Sequence, residues 1–184
     1  AQNVSIRLSE YHRAQAIALS GTKGGDGSPI RLDMESNALV DMAGNPNFGH
    51  YDFPVLEIAD EKSPTIEAAE IFYSTGILEI RGSETIDTTP HLLVKPSNMS
   101  IVNITTGTDP SEISLAGATV FPKDGVVFTM KLIENQRAHA IAVSGTSGGD
   151  GAAALFNAFA NALQDIAGNF LLTDLFNTIT EHDD

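Results

Sequence analysis

The sequence predicts an all-β protein made of two-sheet β-sandwich repeats, each carrying one short helix. Three observations lead there. The chain repeats itself at an offset of 124 residues; short β-branched and aromatic runs recur between turn residues; and each copy of the repeated stretch holds one Ala-rich segment with helical spacing.

The repeat sets the organisation. Arg13 to Asn45 contains RAQAIALSGTKGGDG and NALVDMAGN, and Arg137 to Asn169 contains RAHAIAVSGTSGGDG and NALQDIAGN. From Val4 to Asn45, 21 of 42 positions are identical without a gap, and the register persists at Glu57/Glu181 and Asp60/Asp184. One full unit is therefore expected at 61–184. Residues 1–60 match only its C-terminal half, from Gly125 onward. An isolated half would expose its core and its strand edges. Two explanations fit: a segment of a longer tandem array, or a subunit whose incomplete domain is completed by strands of another chain.

Within the full unit, Thr65–Tyr73 and Gly76–Arg81 read as two strands joined at Ser74-Thr75-Gly76. Leu92–Lys95, Met99–Ile104 and Ala118–Phe121 read as further short strands, punctuated by Pro96, Gly107, Pro110, Gly117 and Pro122. Val126–Leu132 alternates with period two, as a half-buried strand does. Glu134–Val143 sets Ala138, Ile141 and Ala142 at helical spacing. A glycine loop follows. Ala152–Leu163 is ambiguous on its own, but its match Ile30–Val40 carries Pro29, Ser36 and Asn37, which suit strand and turn. Thr173–Glu181 closes the unit as a strand.

Composition excludes several classes. The chain has 10 Lys+Arg against 24 Asp+Glu, a net charge of −14, and no Lys/Arg cluster. Phosphate backbones and anionic membranes need local positive potential, so neither nucleic acid nor membrane insertion is expected, and cations are. With no Cys there are no disulfides, thiolate metal sites or Cys nucleophiles. No apolar run reaches the roughly 18 residues of a spanning helix.

The opening SPTI at Ser63–Ile66, the SETID run at Ser83–Asp87, and the D-x-A-G-N close at Asp41–Asn45 and Asp165–Asn169 resemble the Ig-like repeats of bacterial and archaeal surface proteins, among them S-layer proteins and giant adhesins. The missing Cys pair and Trp set it apart from antibody-type cores. The resemblance implies an extracellular structural protein forming an S-layer, sheath, stalk or fibre, with neighbouring copies of itself as partners. One alternative is a filament subunit assembled by strand donation. Another is an adhesin or glycan-binding module that uses loops Ser20–Gly27 and Ser144–Gly151, although these lack the aromatic platforms usual for glycans.

Candidate sites are few. In D-x-A-G-N, Asp41 and Asp165 either begin a turn or donate oxygens to Ca²⁺. SGTKGGDG and SGTSGGDG lack the Lys-hydroxyl pair and following helix of a phosphate loop, and the consecutive repeats of a calcium nonapeptide array. Asp26 and Asp150 are their candidate metal ligands. Glu57, Asp60 and Glu61 gather at the junction, with Glu84 and Asp87 expected at the same end of the following unit. Six to eight such oxygens suit Ca²⁺, although a solvated linker is the plainer reading. Asn3, Asn98 and Asn103 begin Asn-x-Ser/Thr sequons and are candidate glycosylation sites. Catalysis finds no support: His12, His50, His91, His139 and His182 lie in unrelated contexts, and what the copies share is glycine, small apolar residues and turn formers.

Overall fold

The computed structural model describes residues 3–103 and 111–183. They form two units, Ala1–Asp60 and Glu61–Asp184.

Unit 1 contains α1 (Glu10–Ala18), β1 (Arg31–Met34) and β2 (His50–Pro54). Ser9 precedes α1 in extended backbone as its N-cap, and Glu10 places a carboxylate in the first turn, where the helix dipole favours it. β1 and β2 pair antiparallel, Leu32 opposite Phe53 and Met34 opposite His50.

Unit 2 contains β3 (Ile66–Phe72), β4 (Ile77–Ile86), β5 (Met99–Asn103), β6 (Ser111–Ser114), β7 (Thr119–Val120), β8 (Gly125–Lys131), α2 (Glu134–Ala142), β9 (Leu155–Ala158) and β10 (Asp174–His182). Its strands form one curled sheet of order β6-β5-β9-β10-β3-β4-β8-β7. The strand that makes this possible is β10. Its first half pairs antiparallel with β9, and its second half, Ile179–His182, pairs parallel with Ala69–Phe72 of β3. Within the first half, between Asp174 and Asn177, sits a bulge. Phe176 has φ 62, its amide donates to Asn157 Oδ1 at 2.7 Å, and the extra residue bends the strand before it reaches its second partner. A left-handed Phe is costly. Phe176→Gly is expected to stabilise unit 2 by about 1 kcal/mol in urea unfolding, because its side chain is exposed and contributes little to packing.

The mostly β character agrees with expectation. The strand expected at Leu92–Lys95 is absent. In its place stand two single helical turns, His91–Leu93 and Pro96–Asn98, each next to a proline that fixes φ near a helical value and removes a ladder donor. Of the expected Met99–Ile104 strand, the part to Asn103 is observed, and Ile104 lies outside the described residues, as do Thr105, Gly107, Pro110 and Asp184.

The two units share one backbone where their sequences match. α1, β1 and the start of β2 recur as α2, β9 and the start of β10, shifted by 124 residues. Ladder partners recur as well: Leu32–Phe53 and Met34–His50 become Phe156–Asn177 and Ala158–Asp174. Left-handed residues also coincide, Asn37 with Asn161 and Asp52 with Phe176.

Their surroundings differ. In unit 2, β8 lies between β4 and β7, and Phe128 and Met130 are 1% and 0% exposed. Residues 3–7, the counterpart in unit 1, form no strand, and Val4 and Ile6 are 68% and 79% exposed. Phe156 is fully buried while its equivalent Leu32 is 53% exposed. Residues 55–58, equivalent to the half of β10 that pairs with β3, are likewise without a ladder. The core of unit 2 is a single cluster to which β3, β4 and β5 contribute Ile71, Leu78, Ile80 and Ile101, and β8 and β9 contribute Phe128 and Phe156.

Candidate functional site

The most strongly repeated chemistry is the glycine loop after each helix. Ser144, fully buried, ends α2 by donating its hydroxyl to Ile141 O at 2.8 Å, and its Oγ accepts the amide of Thr146 at 3.1 Å. The amide of Gly151 donates to Ser144 O, and that of Gly149 to Thr146 O, both at 3.1 Å. Ser20, Thr22, Gly25 and Gly27 make the same four bonds in unit 1. The loop closes on itself so tightly that a Cβ on Gly149 would lie 2.1 Å from Ser144 O, and one on Gly25 2.1 Å from Ser20 O. In the pattern G-T-x-G-G-D-G the second of the paired glycines is therefore a packing requirement. The amides of Thr146, Gly149 and Gly151 are consumed within the loop, whereas a phosphate cradle would turn its amides outward.

A repeated carboxylate fastens this loop to the last strand. Glu57 Oε2 accepts from the amide of Gly21 at 2.9 Å, and Oε1 from that of Ile30 at 2.8 Å. Glu181 accepts from the equivalent Gly145 and Ala154 at 3.2 and 3.4 Å, and additionally from the phenol of Tyr73 at 2.6 Å. Burial, then the Glu181 carboxylate, pushes the Tyr73 phenol far above its ordinary value, so it remains a neutral donor. Glu181 was not among the residues singled out from sequence. Its identity with Glu57 in otherwise unlike surroundings was the available signal.

Most of the other expected metal ligands also accept hydrogen bonds within the fold. Asp26 Oδ1 accepts from Ser28 N at 2.7 Å and Asp150 Oδ1 from Ala152 N at 3.0 Å, the bond of an Asx turn in both copies. Asp41 accepts from the amides of Ala43 and Asn45, each at 2.8 Å, and from Asn45 Nδ2 at 3.0 Å. The Asn45 side chain and amide hold its carboxyl below the usual range. Asp165 takes the equivalent bonds from Asn169, at 2.8 and 3.0 Å. Asp60 is paired with Arg13 Nη1 at 2.6 Å, and Glu61 is exposed.

Four acidic residues do meet at one end of unit 2. Buried Glu84 and Asp165 bring a carboxylate oxygen each within 4.8 Å of the other. Asp124, which the sequence reading missed, accepts from Thr88 N at 2.8 Å and Thr89 Oγ1 at 2.7 Å. Desolvation, followed by the charges of Asp124 and Asp165, raises the carboxyl of Asp87. The folded state thus holds the Asp87 proton more tightly than the unfolded chain. The resulting penalty is present in full above the folded pKa and fades as the pH falls through it. Asp87→Asn is expected to raise the melting temperature at pH 7, with a gain under about 1 kcal/mol, and to lose that advantage on acidification; melts at the two pH values check it.

The candidate glycosylation sites separate. Asn3 is exposed and Asn98 half-exposed. Asn103 is buried and donates to Val143 O and to Asp150 Oδ1 and Oδ2, the latter two at 2.9 and 3.1 Å. Its amide anchors the glycine loop, and the folded unit leaves no room there for a glycan.

The histidines stay scattered. His12 Nδ1 lies 2.8 Å from Ser9 Oγ, but that hydroxyl caps α1, and the equivalent residues are Ile133 and Gln136. His182 stacks on Phe72 and contacts Glu70 at 3.2 Å on the exposed face. No histidine is repeated between the copies: His12, His50, His139 and His182 align with Gln136, Asp174, Gln15 and Ile58. Comparison with protein-family models, with curated proteins and with solved structures finds no match.

Proposed function

We propose that this chain is a structural protein of the cell surface, in which Ig-like two-sheet β-sandwich units follow one another to build a lattice, sheath, stalk or fibre of like copies. The observation that supports this reading best is the recurrence of an entire helix, loop and strand arrangement at a fixed offset with the same ladder register. Several of the residues preserved between copies serve that arrangement. Ser20/Ser144 ends the helix, Gly25/Gly149 closes the loop, Glu57/Glu181 ties the loop to the strand, and Asp41/Asp165 shapes the final turn. Selection that retains only a frame is what a scaffold of stacked units requires. A net charge of −14 suits a crowded surface bathed in cations.

Immunogold labelling of intact source cells with antibody to unit 2 tests the proposal. Regular labelling of the outer surface is expected. Labelling restricted to lysed cells would overturn it.

Calcium is the proposed accessory of this role. Glu84, Asp87, Asp124 and Asp165 place carboxylates at one end of unit 2, where a hard cation would relieve their mutual repulsion. Millimolar Ca²⁺ is then expected to raise the unfolding midpoint of unit 2, and EGTA to return it. An unchanged midpoint removes calcium from the proposal without touching the scaffold.

A further inference from the structure

We infer that unit 1 is an acceptor for a segment built like residues 61–124, supplied from outside this 184-residue sequence, and that it closes around that segment as residues 125–183 close around 61–124. The juxtaposition that carries this is between equivalent residues of the two units. Val4, Ile6, Leu8, Leu32, Leu39 and Val55 are exposed, and their equivalents Phe128, Met130, Leu132, Phe156, Leu163 and Ile179 are all buried. Within unit 2, the buried residues that 61–124 contributes to the same core include Ile71, Leu78, Ile80 and Met99. Unit 1 also presents an apolar groove of about 400 Å³ lined by Leu32, Met34, Phe48, His50 and Phe53.

Backbone and polar groups point the same way. Residues 3–7 and 55–58 form no strand, and their equivalents are the stretches of β8 and β10 that pair with β4 and β3. Glu181 receives the Tyr73 phenol, while Glu57 holds the same two loop amides and, among the described residues of unit 1, no phenol donates to it. Arg137 Nη1 donates to Tyr73 O, whereas the equivalent atom of Arg13 donates to Asp60.

The occupant follows by elimination. The chain's own 61–124 cannot serve. Residues 55–58 would then lie parallel to 66–72 across a connection of only residues 59–65, and a parallel crossover takes about a dozen residues. A second copy cannot serve either. Each copy carries two acceptors, 1–60 and 125–184, and a single 61–124, so exchange between copies always leaves one acceptor open per chain. What remains is a separate segment of the 61–124 pattern, pairing with residues 3–7 and 55–58 as β4 and β3 pair with β8 and β10.

The experiment extends the full chain at its N-terminus with a second copy of residues 61–124 and reads amide hydrogen exchange. Residues 3–7 and 55–58 are expected to slow by at least ~100-fold relative to the unextended chain, with unit 2 protection unchanged as the folding control. Adding Ile6→Asp and Leu32→Asp to the extended chain is expected to abolish the new protection alone. Unaltered exchange in the extended chain overturns the inference. So does protection of the same amides in the unextended chain on raising its concentration, which would make the face a self-association surface. Should the extension unfold unit 2, the same residues are added as a separate peptide, and failure to protect 3–7 and 55–58 there counts equally against it. The inference goes beyond the surface role, and exchange reads the fold while immunogold labelling reads location, so either can fail alone.

Discussion

Truncating Phe156 to alanine is expected to destabilise unit 2 by about 3–5 kcal/mol, whereas Leu32→Ala at the equivalent position is expected to cost under about 1 kcal/mol. Phe156 is fully buried in the common core, beside contributions from β3, β4 and β5. Removing its ring takes away the transfer energy and leaves a cavity that β9, pinned between β5 and β10, cannot close. Leu32 has the same backbone and ladder partner position, yet more than half its surface meets solvent. Chemical denaturation of the two variants, followed by unit-resolved hydrogen exchange, measures the contrast. Equal losses would mean that unit 1 buries its apolar face in solution by a route not seen in the structure.

Gly149→Ala carries the second large effect. The added Cβ would stand 2.1 Å from Ser144 O and 2.8 Å from Ile141 O, both backbone atoms at the end of α2, so no side-chain rotation can relieve the overlap. The loop would have to open, breaking the Gly151–Ser144 bond and withdrawing Asp150 from Asn103. A loss of about 3 kcal/mol or more is expected, with amides of the loop and the end of α2 the first to exchange. Gly151→Ala serves as the comparison. That residue has φ 89 but nothing within 4 Å of a Cβ, so it suffers conformational strain alone, about 1–2 kcal/mol.

The contrast between these glycines marks where sequence reading stops. Self-similarity located the repeated unit, its helix and most of its strands, because periodicity and turn chemistry are local properties. The first copy also resolved the Ala-rich 152–163 stretch, where propensity pointed to helix and tertiary pairing with β5 and β10 produced strand at Leu155–Ala158. Long-range pairing was not legible. Nothing in Thr173–Glu181 announces that its two halves serve different partners, or that one pairing is parallel. The candidate site fared likewise. Asp26, Asp41 and their counterparts were legible as turn formers or metal ligands alike, and the structure adds the turn bonds that they accept. Asn103 matched a short surface motif and proved to be an internal brace.

The parallel pairing of β3 with the end of β10 has a consequence for how unit 2 would answer a pull on its ends. Chain enters the unit at the start of β3 and leaves it at the end of β10, and these two points lie at opposite extremities of one shared ladder. Tension along the polypeptide would therefore draw the two strands past each other and strain their hydrogen bonds together. A hairpin gripped at its open end gives way one bond at a time. The geometry is that of a shear clamp, in which resistance to rupture scales with the number of bonds that must break at once.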